Sequence, residues 1–193
     1  MLDFAAFGLS VFMAQVLTNL DNLAALLALS LVAGARRSVF GFLLAQAIVI
    51  CAALMLALGV ADVVPRGAGY LGLIPLGLGA LTLIRKKRGT GSEAKPKLDD
   101  EAPVIMTALL FLSLSVDTFA VLAPLLADSA PNYRTAGIIG AGLAAGCLAL
   151  IALLGSKVPF MSKSIANRLE SLVPYVMICA GLYILSNSWT DAV

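Results

Sequence analysis

Residues 4–33 read FAAFGLSVFMAQVLTNLDNLAALLALSLVA, and a single position in that stretch, Asp21, carries a charge. The run exceeds the roughly 20 apolar residues that cross a hydrocarbon core. Its apolar positions are continuous rather than alternating, which predicts a helix and not a barrel strand. Yet TNLDN at 18–22 sets Asp21 among Thr18, Asn19 and Asn22 near its middle. A carboxylate at that depth costs about 3 kcal/mol on insertion scales unless it is neutralised, paired or hydrated. An apolar helix interrupted by an acidic, amide-rich patch is therefore the unit to look for elsewhere in the chain.

The rest of the chain has the same character. Of its 193 residues 61% are hydrophobic and 12% charged, about half the charge a soluble domain needs for its surface. That balance predicts an integral membrane protein in a lipid bilayer and excludes soluble binding modules, nucleic-acid readers and extracellular disulfide domains. The N-terminus has no basic n-region and its apolar run is too long for an h-region, so the first span is expected to be retained. Histidine is absent, which removes the commonest imidazole ligand and proton shuttle.

Polar punctuation divides the chain into six apolar segments, at roughly 4–33, 39–61, 69–84, 103–127, 135–155 and 172–189. The expected fold is an all-α membrane protein of six transmembrane helices. ARR (35–37) and ADVVPRGAG (61–69) separate the first three; RKKRGTGSEAKPKLDDEAP (85–103) is the one long polar stretch, and SKVPFMSKSIANRLES (156–171) has the composition of a short interfacial helix. Eleven of the thirteen basic residues fall on alternate loops that share one side, and only Arg66 and Arg134 lie opposite. The positive-inside rule then puts the loop 85–102 in the cytoplasm and both termini outside.

The two halves align at a constant offset of 96 residues: Asp21 with Asp117, Gly41 with Gly137, Cys51 with Cys147 and Gly59 with Gly155. Leu and Ala matches are cheap in such a composition; Asp, Gly and Cys matches in one register are not. With a three-residue shift, Pro75 meets Pro174. Residues 1–84 and 103–193 thus read as two three-helix repeats joined by the charged loop 85–102. An odd number of spans per half inverts one relative to the other, the architecture of many secondary transporters, whose sites lie near the midplane where the repeats meet.

Two such aspartates with no Lys or Arg in the spans call for another cation, either a metal ion or a proton; two protonated carboxyls acting as packing glue are the structural alternative. At 100° per residue Gln15, Thr18, Asn19 and Asn22 share one side of the first helix with Asp21 at its margin. Ser113 and Thr118 flank Asp117. Carboxylate, amide and hydroxyl oxygens suit hard or borderline divalent cations; singly, each such residue could equally be an interhelical hydrogen bonder. Pro124 frees a backbone carbonyl, and Pro75 and Pro174 are expected to mark kinks. Cys51 and Cys147 would favour a soft ion if they acted as thiolates, or are simply small apolar side chains.

TNLDNLAALLAL (18–29) and SVDTFAVLAP (115–124) resemble the two signature segments of the bacterial cadmium-resistance transporter family, within the lysine-exporter-like superfamily. The second motif of that family is richer in amides; Asp117 and Pro124 fit its spacing, while Leu114, Ser115, Val116 and Thr118 depart from it. SVDTFAV also looks like the aspartate motif of bacterial manganese efflux pumps. The resemblance implies efflux of a divalent metal cation of the cadmium, manganese or zinc class, with protons as coupling ion and no resident cofactor. Two other classes compete. A six-span thiol-disulfide electron carrier would use the symmetric Cys51 and Cys147, although these fall in the second and fifth spans and neither follows a proline. A small-solute (amino-acid) exporter would leave paired acidic residues unexplained. No enzyme site is visible, and the Gly and Ala content permits helix packing within one chain or between copies in an oligomer.

Overall fold

The computed structural model describes residues 2–30, 34–63, 68–87, 104–155 and 173–186. The expected interfacial helix at 156–171 and nearly all of the charged loop lie outside them. The described chain is all-helical: α1 (Leu2–Thr18), α2 (Leu20–Leu29), α3 (Ala35–Val63), α4 (Leu73–Lys87), α5 (Val104–Leu114), α6 (Val116–Asp128), α7 (Pro131–Gly155) and α8 (Val173–Leu185). A 3-10 turn, Ala68–Gly72, leads into α4.

The first and fourth apolar segments are each two helices rather than one. α1 and α2 meet at 54°, and α5 and α6 at 64°. α3 and α7 contain apolar windows long enough to cross a membrane, Ala35–Gly59 and Pro131–Gly155. The described residues thus hold two candidate spans, or four if each bent pair crosses as one. α4 and α8, in the third and sixth apolar segments, have 15 and 13 residues.

Both breaks have one local cause. At Asn19 the side-chain Nδ2 donates to Gln15 O at 2.8 Å, taking the carbonyl that the next helical N–H would use. The Asn19 backbone N–H turns instead to Val16 O at 3.2 Å. At Ser115 the hydroxyl donates to Phe111 O at 2.7 Å, and the backbone N–H goes to Leu112 O at 3.2 Å. Both residues sit near ψ 15–18°, in the bridge region between helix and strand. A short polar side chain competing for its own helix's carbonyl is a known route to a bend. The helix restarts at once, since Leu23 N–H bonds Asn19 O and Phe119 N–H bonds Ser115 O. The breaks are 96 residues apart, the offset that aligns the two halves.

The prolines do other work. Pro75 is the third residue of α4 and Pro174 the second of α8 as described. In a first turn, proline's missing N–H leaves no helical bond unmade. Pro75 thus stands in the first turn of α4, just past the 3-10 turn, and Pro174 in the first described turn of α8, the residues before which lie outside the described ones. Pro124 lies inside α6, which continues through it.

Packing crosses between the halves. α1 lies along α7, α3 along α5, and α4 along α8. The aligned glycines Gly41 and Gly137 mark the first two seams: a Cβ on Gly41 would sit 2.8 Å from Thr107 of α5, and one on Gly137 2.8 Å from Leu126 and 3.2 Å from Phe7 of α1. Edge-to-face ring pairs reinforce the same seams, Phe7 with Tyr133 at 5.7 Å and Phe42 with Phe111 at 5.4 Å. α6 is enclosed from Ala120 through Asp128, all of them buried. Arg134, also buried, donates from Nε to Leu126 O and Ser129 O and from Nη2 to Ala127 O. It thereby satisfies carbonyls that the end of α6 would otherwise leave open. Large apolar side chains such as Phe40, Met55, Leu109 and Leu154 are exposed on the outside, the side that faces acyl chains in a bilayer.

Candidate metal-ion site at the two helix breaks

Inside this apolar bundle lies a compact polar cluster. Gln15, Thr18 and Asn19 come from α1 and its break, Asn22 from α2, Gln46 from the middle of α3, Ser115 from the second break and Thr118 from α6; each is at most 2% exposed. Buried amides and hydroxyls must find partners, because each unsatisfied group costs about 1–3 kcal/mol.

The orientation of every amide follows from one end. Gln15 O can only accept, so Asn19 presents Nδ2 to it and turns Oδ1 into the cluster. That oxygen accepts from Gln46 Nε2 at 2.7 Å and from Asn22 Nδ2 at 2.8 Å. The same two donors reach Ser115 Oγ, each at 3.1 Å. Gln46 Oε1 in turn accepts from Gln15 Nε2 at 2.9 Å. Asn19 Oδ1 and Ser115 Oγ are thus saturated acceptors. Asn22 Oδ1 is different: it is buried and accepts no hydrogen bond. A buried amide oxygen without a donor is free to accept an N–H or O–H or to ligate a cation.

Asp21 and Asp117 are each the second residue of the helix that restarts after a break, α2 and α6, and both are half-buried. The exposed N–H groups of a first helical turn favour a carboxylate there by about 0.3–1 kcal/mol. The two first turns are tied together, since Asn22 of one donates to the Ser115 break of the other. Thr118 Oγ1 likewise approaches Thr18 Oγ1 at 3.3 Å and Thr18 O at 3.4 Å. Between α1 and α6 a crevice lined by Val11, Ala14, Gln15 and Thr18 on one side and Thr118, Val121, Leu122 and Leu125 on the other leaves no room for water.

The arrangement is thus a buried, amide-lined cluster at two helix breaks 96 residues apart, each followed by an aspartate. The family described as cadmium resistance transporter matches residues 10–192. The chain belongs to the cadmium resistance transporter family. No curated protein and no solved structure matches it. Membership makes this a transport protein of the membrane, in agreement with its apolar helices and with the two motifs at 18–29 and 115–124.

Of the residues singled out in the sequence of this cadmium resistance transporter, Gln15, Thr18, Asn19, Asn22 and Thr118 are brought together, and Asp21 and Asp117 adjoin them in the chain. Ser113 is not among them: it is exposed and its hydroxyl donates to Leu110 O at 2.7 Å. One turn before Asp117 counts backwards through the Ser115 break, where helical periodicity no longer holds. Cys51 and Cys147 are free and exposed on α3 and α7, outside the cluster. Among the described residues no three His, Cys, Asp or Glu side chains gather as a metal cage. Gln46 and Ser115 are members that the sequence reading missed. Ser115 had a signal, since Asn19-Leu20-Asp21 and Ser115-Val116-Asp117 share one pattern, polar-apolar-acid, at the 96-residue offset. Asn22 and Thr118 also coincide at that offset.

Proposed function

We propose that this chain exports a divalent metal cation of the cadmium, manganese or zinc class from the cytoplasm by proton-coupled alternating access. The observation that carries the reading is the meeting of two helix breaks, one from each half, around a buried amide oxygen without a donor, with an aspartate one residue past the start of each restarted helix. Six spans arranged as two inverted three-helix repeats give that meeting its symmetry, and the 96-residue offset of the breaks supports them. The cytoplasmic loop 85–102 and outward termini follow from the distribution of basic residues.

The ion is substrate, not a resident cofactor. Asp21 and Asp117 supply the opposing charge, and Asn22 Oδ1 adds a neutral oxygen. Two carboxylates neutralise a dication, which lowers the cost of carrying it through hydrocarbon. With the ion released outside, protons take its place on the carboxylates and the reloaded carrier returns. This donor set is all oxygen, so preference among divalent ions rests on ligand number and cavity size rather than on thiolate softness.

The test is uptake of Cd2+ into inverted membrane vesicles. Asp21→Asn and Asp117→Asn should each abolish uptake while the protein still inserts and elutes as wild type. Wild-type uptake in either variant would overturn the assignment.

A further inference from the structure

Gln46 is a polar residue alone in the middle of a 29-residue apolar helix, α3, with 1% of its surface exposed. Both N–H groups and the carbonyl of its amide are engaged, and all lead to the cluster. Its two N–H groups reach Asn19 Oδ1 at 2.7 Å and Ser115 Oγ at 3.1 Å, the two residues at which the helices break. Its carbonyl holds Gln15 Nε2 at 2.9 Å. At the 96-residue offset its counterpart is Gly142, which is exposed with nothing near it. The bridge is therefore built once, from the first half only, and breaks the symmetry of the site.

We infer that Gln46 is a positioning residue for the cation: it clamps Asn19 and Ser115 across the two breaks and, by saturating their oxygens, leaves Asn22 Oδ1 as the neutral ligand. The inference rests on the export reading above. Without Gln46, Asn19 Oδ1 and Ser115 Oγ each lose a donor, the two breaks keep only Asn22 and the Thr18–Thr118 contact between them, and Asn22 has competitors for the ion. Groups that orient a metal's ligands change affinity about 10–100-fold when removed.

Calorimetric titration of the full-length, detergent-solubilised chain with CdCl2 tests this, together with its unfolding midpoint in metal-free buffer. Gln46→Leu should raise the Kd for Cd2+ by about 10-fold or more. Because it also strands the buried Gln15 Nε2, the pair Gln15→Leu/Gln46→Leu, which removes both ends of that bond, should bind as weakly while keeping the metal-free midpoint near wild type. If the leucine variant does not elute as wild type, Gln46→Met carries the same expectation. Ser115→Ala removes one end of the clamp, so the double variant Gln46→Leu/Ser115→Ala should bind only as weakly as the worse single. Weakening equal to the product of the two singles would mean independent packing effects and overturn the inference. Wild-type Kd in Gln46→Leu, with Asp21→Asn unable to bind, would overturn it too while leaving the export reading intact. Wild-type Kd in Asp21→Asn and Asp117→Asn would remove both.

Discussion

Asn22 donates two hydrogen bonds, to Asn19 Oδ1 and Ser115 Oγ, and accepts none. Both of its acceptors also have Gln46 as donor, so removing Asn22 leaves no acceptor stranded. Asn22→Ala should therefore destabilise the fold by only about 1 kcal/mol, given roughly 0.6 kcal/mol per interhelical hydrogen bond in membrane proteins. It should nevertheless weaken Cd2+ transport about 10-fold or more, read as a raised half-saturating concentration in vesicles. Ser113→Ala, whose hydroxyl serves only its own helix at Leu110 O, should transport as wild type; equal losses in the two variants would show that the buried amide is not special. The stripe Gln15, Thr18, Asn19 and Asn22 was legible because those residues share one helical face beside an acid. Gln46 was not, because it stands alone in an apolar run and acquires meaning only when α3 is laid against both breaks.

At the scale of the element, helix seams depend on glycines at particular places. A Cβ on Gly140 of α7 would run into the carbonyl of Gly8 on α1, whereas one on Gly142, two residues on, meets nothing. Gly140→Ala should push α1 from α7 and lower stability by about 1–3 kcal/mol, the usual cost of overpacking. Gly142→Ala should be neutral or slightly stabilising, since alanine is the better helix former. Thermal unfolding of the two variants in detergent separates them, and a matched loss would contradict the α1–α7 contact. The helical segments were readable from apolar runs and basic punctuation. Their internal breaks were not, because proline is the usual marker of a bend and the prolines stand elsewhere, at Pro75, Pro124 and Pro174. The chain bends instead where Asn19 and Ser115 take the carbonyls of Gln15 and Phe111. That competition needs only a short polar side chain, a common residue type whose effect depends on its rotamer.

Across the whole molecule the described residues are apolar inside and out: the polar cluster is an island in an apolar interior, and leucines, methionines and phenylalanines are exposed on the outside as well. The composition already required an apolar exterior, and the 96-residue offset pointed to two halves. How the halves interlock, α1 on α7 and α3 on α5, needed three dimensions, since no sequence pattern distinguishes a seam within a half from one between halves. If protons drive the cycle, Cd2+ uptake into inverted vesicles should quicken as the lumen is acidified and fall to the uncoupled level with a protonophore. Uptake indifferent to lumenal pH would remove proton coupling. The crevice from Val11 to Leu125 bears on the same point. Because it leaves no room for water between α1 and α6, no water-filled path runs there along which protons could hop. A constriction too narrow for water passes no hydrated ion. A cell could thus keep many copies in its membrane without draining the electrochemical gradient on which respiration and its other carriers depend.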